Sequence, residues 1–134
     1  MIDAPTALIY TMVLVSAADS DMTDAEFQTI GSIVRQLPVF KKFELDRLPE
    51  TTAACAERLA EANGLDKVLE EIVSNLPKRL HETAYALACD VAAADAHASQ
   101  EELRLLELLQ DKLDIGALEI AAIERGARAR HTVL

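Results

Sequence analysis

Aromatic residues are scarce in this chain, at 4% of the total, and four glycines and four prolines leave little material for turns. Hydrophobic residues still reach 51%, much of it Ala, Leu, Ile and Val. That combination favours closely packed helices over a sheet. Cysteine is almost missing too. Cys55 and Cys89 are solitary, with no CxxC and no neighbouring histidine at ligand spacing. Both stand in apolar helical contexts and are expected as buried free thiols in a reducing compartment. Positive charge is also short: 13 bases face 23 acids, for a formal net charge of −10. Such a balance disfavours nucleic-acid phosphates and anionic membranes as partners. The bases that gather near the C-terminus (Arg125, Arg128, Arg130 and His131) read as a solvated helix end.

The sequence starts Met1-Ile2-Asp3, without the positive stretch of a secretory signal. The apolar run Ala7 to Ala18 is bounded by acids and too short to span a bilayer. Direct membrane insertion is therefore not expected, and the expected location is cytoplasmic. A length of 134 residues suits one domain, residues 1–134, with one modest core.

Helical periodicity accounts for nearly all of the chain, and no stretch sustains strand alternation. A first helix is predicted from about Pro5 to about Asp19. Leu8, Ile9, Met12, Val13, Leu14, Val15, Ala17 and Ala18 cover most of its circumference, which places it at the centre of a bundle. A second starts at Thr23, with Phe27, Ile30, Ile33, Val34 and Leu37 as its core stripe, and Pro38 closes it. Val39 to Leu48 reads as a connector with one short helical turn. Pro49 can begin a third helix carrying Ala53, Ala56, Leu59 and Ala60, with Asn63-Gly64 as its stop signal. A fourth runs through Leu65, Val68, Leu69, Ile72, Val73 and Leu76 to Pro77. The fifth, from about Lys78 to Asp95, is again apolar and rich in alanine, and it is expected to pack closely on the first. Ser99 caps a sixth helix with Leu103, Leu106, Leu109 and Leu113 on its core face. A last helix from about Ala117 carries Leu118, Ala121 and Ile123 and is expected to fray near Gly126. The fold class is thus all-α, a bundle of about seven helices built on a duplicated helical hairpin.

The duplication is the most informative pattern present. Ala17-Ala18-Asp19-Ser20-Asp21-Met22-Thr23-Asp24-Ala25-Glu26-Phe27 recurs as Ala93-Ala94-Asp95-Ala96-His97-Ala98-Ser99-Gln100-Glu101-Glu102-Leu103. An offset of 76 aligns Asp19 with Asp95, Asp21 with His97, Thr23 with Ser99 and Glu26 with Glu102. The repeat halves cover about 5–38 and 78–115.

Two readings fit these turns. In the first, Thr23-x-x-Glu26 and Ser99-x-x-Glu102 are capping boxes and nothing more. The hydroxyl accepts from the third helical N–H while the carboxylate reaches back. That accounts for the Ser/Thr and much of the Glu, but not for Asp19 and Asp95, which close apolar helices at the negative end of the dipole. In the second reading each turn gathers hard oxygen ligands for a divalent metal ion, Ca²⁺ or Mg²⁺. Asp19, Asp21 and Glu26, with Asp24 nearby, would supply carboxylates in the first copy. Asp95 and Glu102 remain in the second, where His97 offers nitrogen and shifts preference towards Mn²⁺ or Zn²⁺.

Other chemistries find no support. Counting Asp19 as the first position of an EF-hand, Asp24 stands where the invariant glycine belongs and Ile30 where the bidentate glutamate belongs. None of His81, His97 or His131 has a glutamate three residues before it, against a di-iron bundle. HExxH, a nucleophile elbow and a Gly-rich phosphate loop are all missing, and no Cys–His arrangement suggests a thiol nucleophile. The chain is therefore expected not to be an enzyme. Asp90, in the fifth helix, lies about 140° round the axis from Asp95. It reads as a solvated or hydrogen-bonded structural acid rather than a ligand.

An apolar helix ending Ala-Ala-Asp, a short turn, then Ser/Thr-x-x-Glu and a Leu/Ile-rich helix resembles the TerB family of tellurite-resistance proteins. Ala92-Ala93-Ala94-Asp95 through Glu102-Leu103-x-x-Leu106, followed by Leu113-Asp114-Ile115, is similar to that family's C-terminal half. The likeness runs from about Ala7 to about Arg130. It implies an all-helical, acidic, cytoplasmic protein with a divalent-cation-binding surface. It also implies a role in tellurite resistance or a broader stress response, alongside protein partners that include membrane-associated ones. The acidic positions carried over are Asp19, Glu26, Asp95 and Glu102. Where the family commonly has glycine after the aspartate, this chain has Ser20 and Ala96, which removes the residue that best tolerates positive φ.

The expected function is accordingly that of a non-enzymatic TerB-like protein that binds Ca²⁺ or another divalent cation and docks onto partners. Its site would comprise Asp19, Asp21, Glu26, Asp95 and Glu102. The alternative is a metal-free helical interaction module whose acidic face meets a basic partner.

Overall fold

The computed structural model describes residues 1–18, 22–94 and 99–134. Among them are seven α-helices and no strand: α1 (Ala4–Ser16), α2 (Asp24–Gln36), α3 (Leu48–Leu59), α4 (Gly64–Asn75), α5 (His81–Ala92), α6 (Gln100–Lys112) and α7 (Ala117–Arg130). Asp3 caps α1 by accepting from the Thr6 N–H at 2.9 Å, and Pro5 sits in its first turn. All ten residues from Ala7 to Ser16 are buried. This helix is the axis of the domain, with α2, α3, α4, α5 and α6 laid against it. Its large apolar side chains each contribute roughly 1.5–3 kcal/mol by leaving water. Thr11 and Ser16 can share that burial because their hydroxyls donate to the Ala7 and Val13 carbonyls within the helix.

The expected contact between the first and fifth helices is present, and alanine explains it. Ala84, Ala88 and Ala92 are buried along α5, and their small side chains let it lie against α1. Both helices are shorter than the apolar runs suggest. α1 ends at Ser16 with Ala17 as its C-cap, and α5 ends at Ala92 with Ala93 as its C-cap. Lys78–Leu80 is a separate 3₁₀ turn ahead of α5. The connector after α2 likewise holds two such turns, Pro38–Phe40 and Leu45–Arg47, and the first buries Phe40.

Several core faces differ from the periodicity. On α2, Phe27 is exposed and Glu26 is buried, with Ile30 and Val34 completing the inner stripe. On α6, Leu103 is exposed and Leu105 turns inward beside Leu106 and Leu109. The third helix buries Leu48, Thr51, Thr52 and Cys55 rather than its alanines. Thr51 and Thr52 fit because their hydroxyls donate to the Arg47 and Pro49 carbonyls. At the α3–α4 joint the left-handed residue is Asn63, at φ 56°, not Gly64. Glycine is required next to it for closeness: a Cβ on Gly64 would stand 2.4 Å from the Arg58 and Leu59 carbonyl oxygens. The last helix runs through Gly126 to Arg130 instead of fraying there. Leu118 on it faces solvent.

Two polar links fix the outer helices. His81 places Nδ1 3.0 Å from the Leu113 carbonyl oxygen and Nε2 3.1 Å from that of Leu76, joining the C-terminal ends of α6 and α4. Asp90 accepts from Arg130 at 2.6 Å and faces His131 Nε2 at 3.3 Å, which fastens the end of α7 to α5. That is the hydrogen-bonded structural role expected of Asp90. It also shows that Arg130 and His131 are tied to a carboxylate rather than simply solvated.

Candidate functional site

The offset of the repeat carries directly into the structure. α2 and α6 have the same length, 13 residues, and their bounds correspond residue for residue at that offset. The ends of α1 and α5, with their alanine C-caps, correspond in the same way. Thr23 enters α2 at φ −76°, ψ 161°, and Ser99 enters α6 at φ −71°, ψ 163°. Each hydroxyl accepts from the backbone N–H three residues on, at 3.1 Å in both copies. Each glutamate returns the contact: Glu26 Oε1 accepts from the Thr23 N–H at 2.9 Å, and Glu102 Oε1 from the Ser99 N–H at 3.0 Å. Both capping boxes are complete, worth about 0.5–2 kcal/mol for each cap.

Burial separates these glutamates from ordinary capping residues. Glu26 is 2% exposed and Glu102 is 3% exposed, whereas Asp24, Glu101 and the hydrophobic Phe27 and Leu103 stay in solvent. The residue after each glutamate thus lies outward and the glutamate lies inward, in both copies. An apolar stripe cannot reveal this, because burial of a carboxylate follows from the hydrogen bonds that meet it. The Thr23 hydroxyl adds a further bond to Glu26 Oε1 at 3.2 Å.

The structure therefore places Glu26 and Glu102 at equivalent points, each at the start of a helix and beside a turn. Asp19, Asp21 and Asp95, with His97, lie outside the described residues. Among the described residues no group of three or more His, Cys, Asp or Glu could hold a metal ion. What each helix start presents is a buried carboxylate whose Oε1 is committed to the capping hydrogen bonds.

The two thiols offer no reactive alternative. Cys55 is fully buried, with Sγ 3.8 Å from the Tyr10 carbonyl oxygen, and burial pushes its pKa up to about 12. Burial likewise raises Cys89 to about 11. Neither supplies a thiolate near neutral pH.

No described helix is long and apolar enough to cross a membrane. Neither the curated proteins nor the solved structures contain a match to this chain. A family model does match: tellurite resistance protein TerB, over residues 5–125. That span takes in α1 from Pro5, all of α2 to α6, both capping boxes and most of α7. The chain belongs to the TerB family.

Proposed function

We propose that this TerB-family protein is a non-enzymatic, cytoplasmic divalent-cation binder that uses its two acidic turns to dock onto protein partners during tellurite or related stress. The observation that carries this reading is the matched burial of Glu26 and Glu102. Each is held at the same point of a duplicated hairpin, next to a turn that carries further acids in the sequence, Asp19 and Asp21 in one copy and Asp95 in the other. The donor set suits a hard cation, and Ca²⁺ fits best because it accepts several carboxylates in irregular geometry. His97 in the second turn leaves room for Mn²⁺ or Zn²⁺ there. The metal would supply charge neutralisation in these turns. Glu26 and Glu102 would hold it together with Asp19, Asp21 and Asp95, while Thr23 and Ser99 keep the helix starts in shape. Partners would then be selected by the state of the turns.

Calorimetric titration with Ca²⁺, Mg²⁺, Mn²⁺ and Zn²⁺ tests this reading. Saturable binding that is lost in the Asp19→Asn/Asp95→Asn variant is the expected result. No heat at millimolar metal, or heat unchanged in that variant, overturns it. Completeness of both capping boxes favours a second reading, a metal-free acidic interaction module. Under that reading, partner capture weakens with salt and is indifferent to chelator.

A further inference from the structure

Helices α5, α6 and α7 leave a groove of about 560 Å³ on the side of the domain, floored by Cys89, Ala92, Leu103, Leu106 and Ala127. Its volume is that of a small-ligand site, and such sites are mostly apolar with a few placed polar groups. The polar groups here are Glu124, Arg128, His131 and Thr132. Three of them are already engaged. Glu124 Oε2 accepts from the Tyr85 hydroxyl at 2.6 Å and from Gln110 Nε2 at 3.3 Å. His131 faces Asp90, which Arg130 also binds. The Thr132 hydroxyl donates to the Arg128 carbonyl oxygen at 2.7 Å. The Arg128 guanidinium remains, exposed and without a hydrogen bond or ion pair among the described residues. Beside it Leu103 is 50% exposed, although it stands on a helix whose Leu105, Leu106 and Leu109 are all buried.

We propose that this groove binds a medium-chain alkyl carboxylate, with the chain over Leu103, Leu106 and Ala127 and the head on Arg128. A guanidinium presents paired N–H donors that match the two oxygens of a carboxylate, and an uncharged or cationic head would forgo that match. A partner helix fits less well. It would need roughly 1,000 Å² of complementary surface and a periodic row of apolar anchors. On α6 only Leu103 stands out from the surface as such an anchor; Leu106 meets the groove by an edge, and Leu105 and Leu109 are buried.

Titration of the intact protein with decanoate below its micellar concentration, followed by amide NMR and calorimetry, tests the proposal. Saturable one-site binding with shifts at Ala92, Leu106 and Ala127 is expected. Arg128→Gln is expected to weaken decanoate at least tenfold while leaving decanol unchanged. Leu103→Ser should weaken both ligands, and because both positions are exposed the variants should keep the parent spectrum. The proposal is overturned by absence of saturable binding or by equal affinity for decanoate and decanol. Indifference to Arg128→Gln overturns it as well, as do shifts that map instead to the separate groove at Leu14, Leu59, Leu65 and Leu108. Added chelator leaves the expected binding intact, which keeps its outcome distinct from that of the metal titration.

Discussion

The Tyr85 hydroxyl donates to Glu124 Oε2 at 2.6 Å and accepts from Gln110 Nε2 at 2.7 Å, so one buried ring on α5 holds α7 and α6 together. The Tyr85 ring is fully buried, and desolvation with the adjacent Glu124 carboxylate pushes its ionisation upward, so it acts as a neutral donor. Tyr85→Phe keeps the ring and removes the donor. A loss of about 0.5–3 kcal/mol is expected in urea unfolding, the upper part because the acceptor is charged. Tyr85→Ala, which also opens a cavity, should cost about 3–5 kcal/mol. Equal stability of Tyr85→Phe and the parent protein would contradict this role.

The buried glutamates can be tested for two separate roles. Glutamine can replace glutamate in a capping box, so Glu26→Gln and Glu102→Gln should fold with stability within about 1 kcal/mol of the parent. Glu26→Ala and Glu102→Ala remove the reach-back bond and leave a buried gap, and should cost about 1–3 kcal/mol. Under the cation-binding proposal the glutamine variants nevertheless lose metal affinity. Full retention of metal affinity in both would confine these residues to capping.

Gly64 and Gly31 should respond in opposite directions. Gly64→Ala forces a Cβ against the Arg58 and Leu59 carbonyls, which are backbone and cannot step aside. A loss of about 1–3 kcal/mol or more is expected. Gly31 lies within α2 and a Cβ there meets nothing nearer than the tip of Arg35 at 4.0 Å. Gly31→Ala should therefore stabilise the protein by about 0.5–1 kcal/mol. Thermal melts of the two variants, run side by side, decide the matter.

The thiols give a pH dependence with a definite sign. Both Cys55 and Cys89 have pKa values raised by burial from the ordinary 9.0, to about 12 and about 11. The folded state therefore keeps its thiol protons when the unfolded chain gives them up. This contribution to stability is whole below pH 9 and is lost as pH rises through the folded values. Native alkylation by iodoacetamide at pH 8 should be far slower than alkylation in urea, with Cys55 the slower of the two. Prompt modification of Cys55 in the folded protein would refute its burial.

Much of the fold was legible in the sequence because its signals are local. The caps at Thr23 and Ser99, the stop at Pro38 and the all-round apolar run of α1 depend on residues within a turn or two of one another. The repeat offset rests on aligned residues, and the structure adds that the bounds of α2 and α6 match at that offset residue for residue. What was not legible involved choices between residues of similar polarity on adjacent faces. Phe27 and Leu103 looked like core residues, yet in both copies the preceding glutamate took the inner place. The acidic turns were legible as a motif, and their glutamates proved to be buried caps. Leu103 reads as a core residue of the repeat, Arg128 as part of a solvated basic end and Cys89 as a buried thiol, and their meeting at one groove depends on how α5, α6 and α7 pack.

By itself, then, the sequence determined the all-α class, the two capping boxes and the resemblance to TerB, which rest on short-range spacing, and the repeat, which rests on like residues at one offset. Tertiary structure alone decided that Glu26 and Glu102 are buried, that Asp90 secures Arg130 and His131, and that α7 docks through Tyr85. Those outcomes turn on which surfaces meet across distant parts of the chain. Helical periodicity fixes a residue's direction around its own axis but not which neighbour stands opposite.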